Sequence, residues 1–283
     1  MKIVIIGADG QLGHDLCRVI DRSEQVPLTI KDIDITDKQQ CDEVLSKYSP
    51  DIVINTAAYN KVDEAETHQD EAFKVNAEGA KNVALACKKL DAIMVHFSTD
   101  YIFDGTKTTP YIETDEPGPR SAYGKSKLVG ESLIWDNMHK YFIIRTAGLF
   151  GIAGCLGKGG GNFVESILRQ AQAGKDLKVV DDEIFSPTYT MDLAQKLNEL
   201  IRTWQFGLYH LTNAGQCSWY EFAEKILEYT GIKTKLVRLK VAELKALAPR
   251  PKYSVLDNYN LRKIGLKDMR PWPEALKDYL AER

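Results

Sequence analysis

The feature that most restricts the fold is an alternation of short β-branched runs with stretches of helical length. The runs KIVII (2–6), DIVIN (51–55), AIMVHFS (92–98) and YFIIR (141–145) are apolar almost throughout, and amphipathic segments fill 38–48, 70–89 and 121–138 between them. Strands without a polar face belong inside a parallel sheet, because each crossover connection lays a helix over one face or the other. The pattern predicts an α/β chain, a Rossmann-type doubly wound parallel sheet, with a weaker strand at 26–30.

Beyond residue 150 the pattern changes. Six glycines, from Gly151 to Gly161, crowd a stretch with little apolar content that reads as a mobile loop. A helix from about Asn162, a strand near 177–180, a helix after Pro187, a strand at 207–211 and a helix at 218–229 are expected next. At 283 residues the chain exceeds one compact domain. The expected division is a nucleotide-binding domain over 1–150, joined by a further strand and helix from about 177–213, and a smaller α/β substrate-binding unit within 151–283.

Composition narrows the partners. A net charge of -3 gives no broad attraction to a phosphate backbone, so nucleic acid is not expected. No segment approaches the ~18 uninterrupted apolar residues of a spanning helix, so no membrane span is expected. The amino terminus, MKIVIIGADGQLG, has neither a basic region nor a cleavage site and reads as a cytoplasmic start. Five cysteines, Cys17, Cys41, Cys87, Cys155 and Cys217, lack CxxC or Cys/His spacing, which favours reduced thiols over disulfides or zinc. No compact carboxylate set identifies a metal site; Mg2+ is compatible with the chain without being indicated by it.

Three motifs carry chemistry. The first strand runs into Gly7-Ala8-Asp9-Gly10-Gln11-Leu12-Gly13, which opens a helix. Glycines there let backbone N–H groups approach a pyrophosphate, and the helix N-terminus adds a positive dipole end; a plain tight turn is the alternative. Lys31, Asp32 and Asp34, with Ile35, end the second strand near the place of an adenosine ribose. Both charge signs occur there, so NADPH and NADH stay open. Ala57, Ala58 and Tyr59 follow the third strand, where small residues let a dinucleotide lie close to the backbone.

Tyr123 and Lys127 stand four residues apart in a helical stretch, hence on one face. A free tyrosine has a pKa of about 10, and an adjacent ammonium favours its phenolate, so the pair suits proton transfer at a carbonyl or alcohol. Ser98, Thr99, Asp100 and Tyr101 follow the fourth strand, and ligands of open α/β sheets bind beyond the carboxyl ends of strands. Thr99 becomes the third member of the centre.

The sequence resembles the dTDP-4-dehydrorhamnose reductase family, within the extended short-chain dehydrogenase/reductases, across nearly its whole length. FSTDYIFDG (97–105), YGKSKLVGE (123–131), SWYEFA (218–223) and RPKYSVLDN (250–258) carry the likeness, and the GxxGxxG spacing is the short-chain variant. The resemblance implies reduction of the C4 keto group of dTDP-4-dehydro-L-rhamnose by NADPH or NADH, with NADPH favoured. Tyr123 would donate the proton, Lys127 lower its pKa and hold the nicotinamide ribose, and Thr99 hold the substrate oxygen. Asp100 and Tyr101 would lie beside the sugar, and Asn162 and Arg250 near the diphosphate. Trp219 is expected in the core. The other readings are a reductase, epimerase or dehydratase of another nucleotide sugar, and a non-catalytic dinucleotide-binding protein. Oligomeric state is left between monomer and homodimer.

Three segments depart from the family pattern. Gly148 stands where a tryptophan is usual, the glycine-rich stretch 151–161 is longer, and Glu183 and Phe185 replace an amide and a glycine. Phe185 is expected to line the sugar pocket and to supply the aromatic surface lost at Gly148.

Overall fold

The computed structural model describes residues 1–154, 159–243 and 246–283. The expected strands form β1 (Ile3–Ile6), β2 (Gln25–Leu28), β3 (Ile52–Asn55), β4 (Ile93–Thr99) and β5 (Tyr141–Thr146). With β10 (Gly207–His210) they make one six-stranded sheet, ordered β10-β5-β4-β3-β1-β2 and parallel at every pairing. All four residues of β1 are buried, because alternate side chains enter different cores. Ile3, Ile5, Ile52, Ile54 and Val95 pack under α1 (Gln11–Val19) and α7 (Thr190–Ile201). Val4, Ile6, Val53, Met94 and Ile143 pack under α2 (Lys38–Tyr48), α4 (Ala80–Lys89) and α5 (Ala122–Asn137).

The expected helix over 70–89 is not continuous. It is divided into α3 (Gln69–Phe73), a π-helical turn over Lys74–Gly79, and α4. Single π turns are rare and widen a helix by one residue. This one seats Asn76, whose amide accepts from the backbone N–H of Tyr59 at 2.9 Å and donates to its carbonyl at 3.0 Å and to Ser126 Oγ at 2.9 Å.

The remaining elements gather on the other side. They are β6 (Leu149–Phe150), α6 (Phe163–Gln172), β7 (Leu177–Val180), β8 (Ile184–Phe185), β9 (Thr188–Tyr189), β11 (Cys217–Ser218), α8 (Trp219–Thr230), β12 (Leu236–Leu239) and α10 (Trp272–Glu282), whereas α9 (Tyr259–Lys263) packs Leu261 into the core of the main sheet beside β10. β7 pairs with β12 and not with the main sheet, while β6 pairs with β9 and β8 with β11. Their core is aromatic, built on Phe150, Tyr189, Phe222, Trp272 and Tyr279. A capping box of Ser218 and Glu221 starts α8 and Gly231, at φ 68°, ends it. The loop expected at 151–161 lies partly outside the described residues, as does Cys155. Among the described residues the other four cysteines are unpaired, no cluster of three metal-binding side chains occurs, and no helix is long and apolar enough to cross a membrane.

Candidate active site

The chain passes from β1 to β2 on one side and returns to β3 on the other, which opens a crevice at the carboxyl ends of β1 and β3. A cavity of about 830 Å³ occupies it. Gly7, Gly10, Gln11 and Leu12 form one wall, with Asp34, Ile35, Ala57 and Ala58 beside them. Gly7 has φ +81°, and a Cβ there would approach Thr56 Oγ1 to 2.6 Å. Gly13 does not line the cavity; a Cβ on it would meet the Gly7 carbonyl at 2.1 Å, so this glycine seats the helix on the turn. Gly10 caps α1 without a side-chain acceptor, so the first amides of the helix keep no side-chain partner. Gln11 Oε1 and Ser98 Oγ are buried without a hydrogen bond, two polar atoms that a bound dinucleotide fits. Tyr59 departs from expectation: its backbone is held by Asn76, its ring packs on Ala65, Ala72 and Ala122, and it is not on the cavity wall.

The opposite wall brings together Thr99, Asp100, Tyr101, Tyr123 and Lys127. Ser121 caps α5, accepting from Gly124 N at 3.1 Å, and Glu66 accepts from Ala122 N at 2.8 Å. A Cβ at Gly124 would meet the Tyr101 carbonyl at 2.3 Å, so the helix carrying Tyr123 lies directly on the segment carrying Thr99. The rings of Tyr101 and Tyr123 meet edge to face at 5.9 Å.

Lys127 is 2% exposed, with Nζ 3.4 Å from His96 Nε2. Burial lowers its pKa to about 8, and Glu131 opposes that shift. Burial also pushes His96 well below its ordinary value, the Lys127 charge adding to the effect, so the imidazole is neutral and faces the ammonium as a dipole. One turn along, Glu131 pairs with Arg145 at 2.7 Å, which keeps that carboxylate engaged away from Lys127.

Asp100 is buried, with 5% of it exposed. Its carboxyl accepts from Ser254 Oγ at 2.6 Å and from Thr99 Oγ1 at 3.1 Å. Burial raises its pKa to about 6 against the pull of those two hydroxyls. Thr99 Oγ1 also accepts from Tyr101 N at 3.2 Å, so its hydroxyl is held in place from both sides.

A second cavity, about 680 Å³, shares a wall with the first through Tyr101, Phe163, Glu183 and Trp219. Arg250 lines it; Nη2 reaches Asp63 at 2.9 Å, and Nη1 is buried without a partner. Asn162 lies on the first cavity, but its amide is engaged within the protein. It caps α6 at Glu165 N (3.0 Å) and donates to the Gly151 carbonyl at 2.9 Å and to Tyr279 at 3.2 Å. Phe185 does lie over Gly148: a Cβ there would fall 2.3 Å from its ring. Only 3% of Phe185 is exposed, and it stacks on Trp219 with centroids 3.8 Å apart. Trp219 packs against the aromatic core, as expected, and also lines both cavities, while Phe185 lines the first. Glu183 is the acid that motif reading passed over as a site residue, although its departure from the family amide was the available signal.

A family model described as the RmlD substrate binding domain matches residues 1–283. The chain is 42% identical to the spore coat polysaccharide biosynthesis protein SpsK of Bacillus subtilis, covering 100% of this chain and 98% of that one. It is 35% identical to a dTDP-4-keto-6-deoxy-D-glucose reductase of Streptomyces niveus, covering 96% and 94%. A crystal structure of dTDP-4-dehydrorhamnose reductase from Bacillus anthracis in complex with NADP superposes with a TM-score of 0.96 at 40% identity, over 100% of both chains. The chain thus belongs to the RmlD substrate binding domain family, the family of the dTDP-4-dehydrorhamnose reductases.

Proposed function

We propose that this chain uses NADPH to reduce the C4 keto group of dTDP-4-dehydro-L-rhamnose, giving dTDP-L-rhamnose. The observation that carries the reading is the convergence of Thr99, Tyr123 and Lys127 on one cavity with the Gly7–Leu12 turn. The NADP in the related Bacillus anthracis structure supports the cofactor. When bound, the cofactor supplies the hydride. Tyr123 delivers the proton to the oxygen at C4, Lys127 stabilises the phenolate left behind, and Thr99 orients that oxygen by turning its hydroxyl proton from Asp100 to the substrate. Arg250 takes the diphosphate through its unpaired Nη1, a charge-assisted contact. The reading implies a cytoplasmic enzyme, monomeric or homodimeric. Stoichiometric loss of NADPH absorbance with dTDP-4-dehydro-L-rhamnose, and formation of dTDP-L-rhamnose, are expected; no consumption would refute the reduction.

A second reading is reduction of a different dTDP-4-keto sugar. It is favoured by Gly148, Glu183 and Phe185 at the sugar side and by the likeness to the Streptomyces niveus enzyme. Comparing kcat/KM for the two 4-keto sugars decides between them.

A further inference from the structure

Glu183 is 5% exposed, and its Oε1 has no hydrogen-bond partner among the described residues. The residue stands in the wall common to both cavities. A buried polar oxygen without a partner is unfavourable, and an orphan of this kind on a cavity wall marks a place for a ligand to complete. Arg250 carries a second such orphan, Nη1, on the same cavity. A diphosphate held there brings negative charge toward Glu183, which a carboxylate would repel and a neutral acid would not.

We propose that Glu183 fixes the sugar by donating a hydrogen bond from its protonated carboxyl to a sugar oxygen, so that a nucleotide sugar binds together with one proton. The proposal rests on the nucleotide-sugar reading above and adds the residue that selects the sugar. The proton comes from solvent, stays on the carboxyl while the sugar is bound, and returns on release.

The surroundings fit this state. Burial is the main cause that raises the carboxyl to about 7, Asp182 and Asp100 add to it, and Arg250 and the Trp219 indole oppose it. The Tyr101 hydroxyl, also raised by burial, is neutral. Across the second cavity Lys61 is paired with Glu64 at 3.0 Å and Asp63 with Arg250, while Lys178 is exposed to solvent. Lys61 and Lys178 are thus screened by solvent or a partner, and Arg250 already shares its charge with Asp63.

The test is calorimetric titration of dTDP-L-rhamnose, in buffers of different ionisation enthalpy, into wild type, Glu183→Gln and Glu183→Leu. For a ligand that binds only the protonated form, wild-type affinity falls about tenfold from pH 6 to pH 8, with close to one proton taken up at pH 8. Glu183→Gln, which keeps a donor without titrating, is expected to bind with little pH dependence and no uptake through Glu183. Glu183→Leu, with no donor, should bind about tenfold more weakly than wild type at pH 6. Thermal scans check that each variant folds. Equal uptake in wild type and Glu183→Gln would assign the proton to another group, such as Asp100, and overturn the proposal. Binding with no uptake in wild type would overturn it too, leaving the nucleotide-sugar reading intact. Failure of every form to bind would overturn both.

Discussion

At the scale of single residues, the site depends on how far each group lies from water. Tyr123→Phe removes only the transferable proton, so kcat should fall by roughly 10²–10⁴ while the cofactor Kd is retained. A smaller loss in a stopped-flow assay would take Tyr123 out of the acid's role. Lys127 holds its proton below about pH 8 and gives it up above, because burial disfavours its charged form. The rate through kcat/KM should therefore decline above about pH 8. Lys127→Met should lose both turnover and cofactor affinity, and an unchanged cofactor Kd would argue against its contact with the dinucleotide. Arg250→Ala should raise KM for the nucleotide sugar by roughly 10–100-fold, the worth of a charged hydrogen bond, and leave KM for NADPH alone. The reverse split would put this arginine on the cofactor.

At the scale of elements, close backbone approach decides what sits where. Gly148 at φ +55° and the ring of Phe185 occupy one space, one on the segment leading into β6 and the other in β8. Gly148→Trp alone should destabilise the protein through both the ring overlap and the left-handed backbone, the latter worth about 1–2 kcal/mol. Phe185→Gly should cost roughly 3–5 kcal/mol as a buried aromatic lost from the stack with Trp219. The double variant is expected to melt above the sum of the two losses yet below wild type. Strictly additive shifts in Tm would show that the two positions do not compensate. Phe185 and Trp219 both line the first cavity, so the stacked pair forms one aromatic wall there.

At the scale of the whole molecule, four buried titrating groups pull stability in opposite directions with pH. His96 and His210 are neutral in the fold; His210 lies near 3 against 6.5 when unfolded, mainly through burial. Their contribution is present above pH 6.5 and lost as pH falls toward 3. Asp100 and Glu183 are raised to about 6 and 7, from 3.8 and 4.5, again mainly through burial. They therefore stabilise the fold at low pH, and this support is lost as pH rises through about 6–7. Between pH 7 and pH 5 the two effects offset. A protein carrying Asp100→Asn and Glu183→Gln should lose Tm more steeply over that interval than wild type, at about 2–4 °C per kcal/mol for a chain of this size. Parallel Tm curves would show that the two acids are not protonated in the fold.

The sequence by itself determined the sheet, the glycine turn and the grouping of Thr99, Tyr123 and Lys127, because each is written locally. Apolar runs bury both faces of a strand, the spacing of Tyr123 and Lys127 puts them on one side of α5, and Thr99 ends β4. The tertiary structure alone decided which polar atoms are spoken for. Asp100 is capped by Ser254, 154 residues away, and Arg250 is paired with Asp63 across 187. Asn162 is consumed by its own helix and by Tyr279, 117 residues on, so a motif match did not disclose its employment. Glu183 is set by the same long-range packing: burial raises its pKa, with Asp182 and Asp100 adding and Arg250 opposing, and its Oε1 is left without a partner. Desolvation and the choice of partner depend on residues far apart in the chain, and no local pattern records which of them will meet.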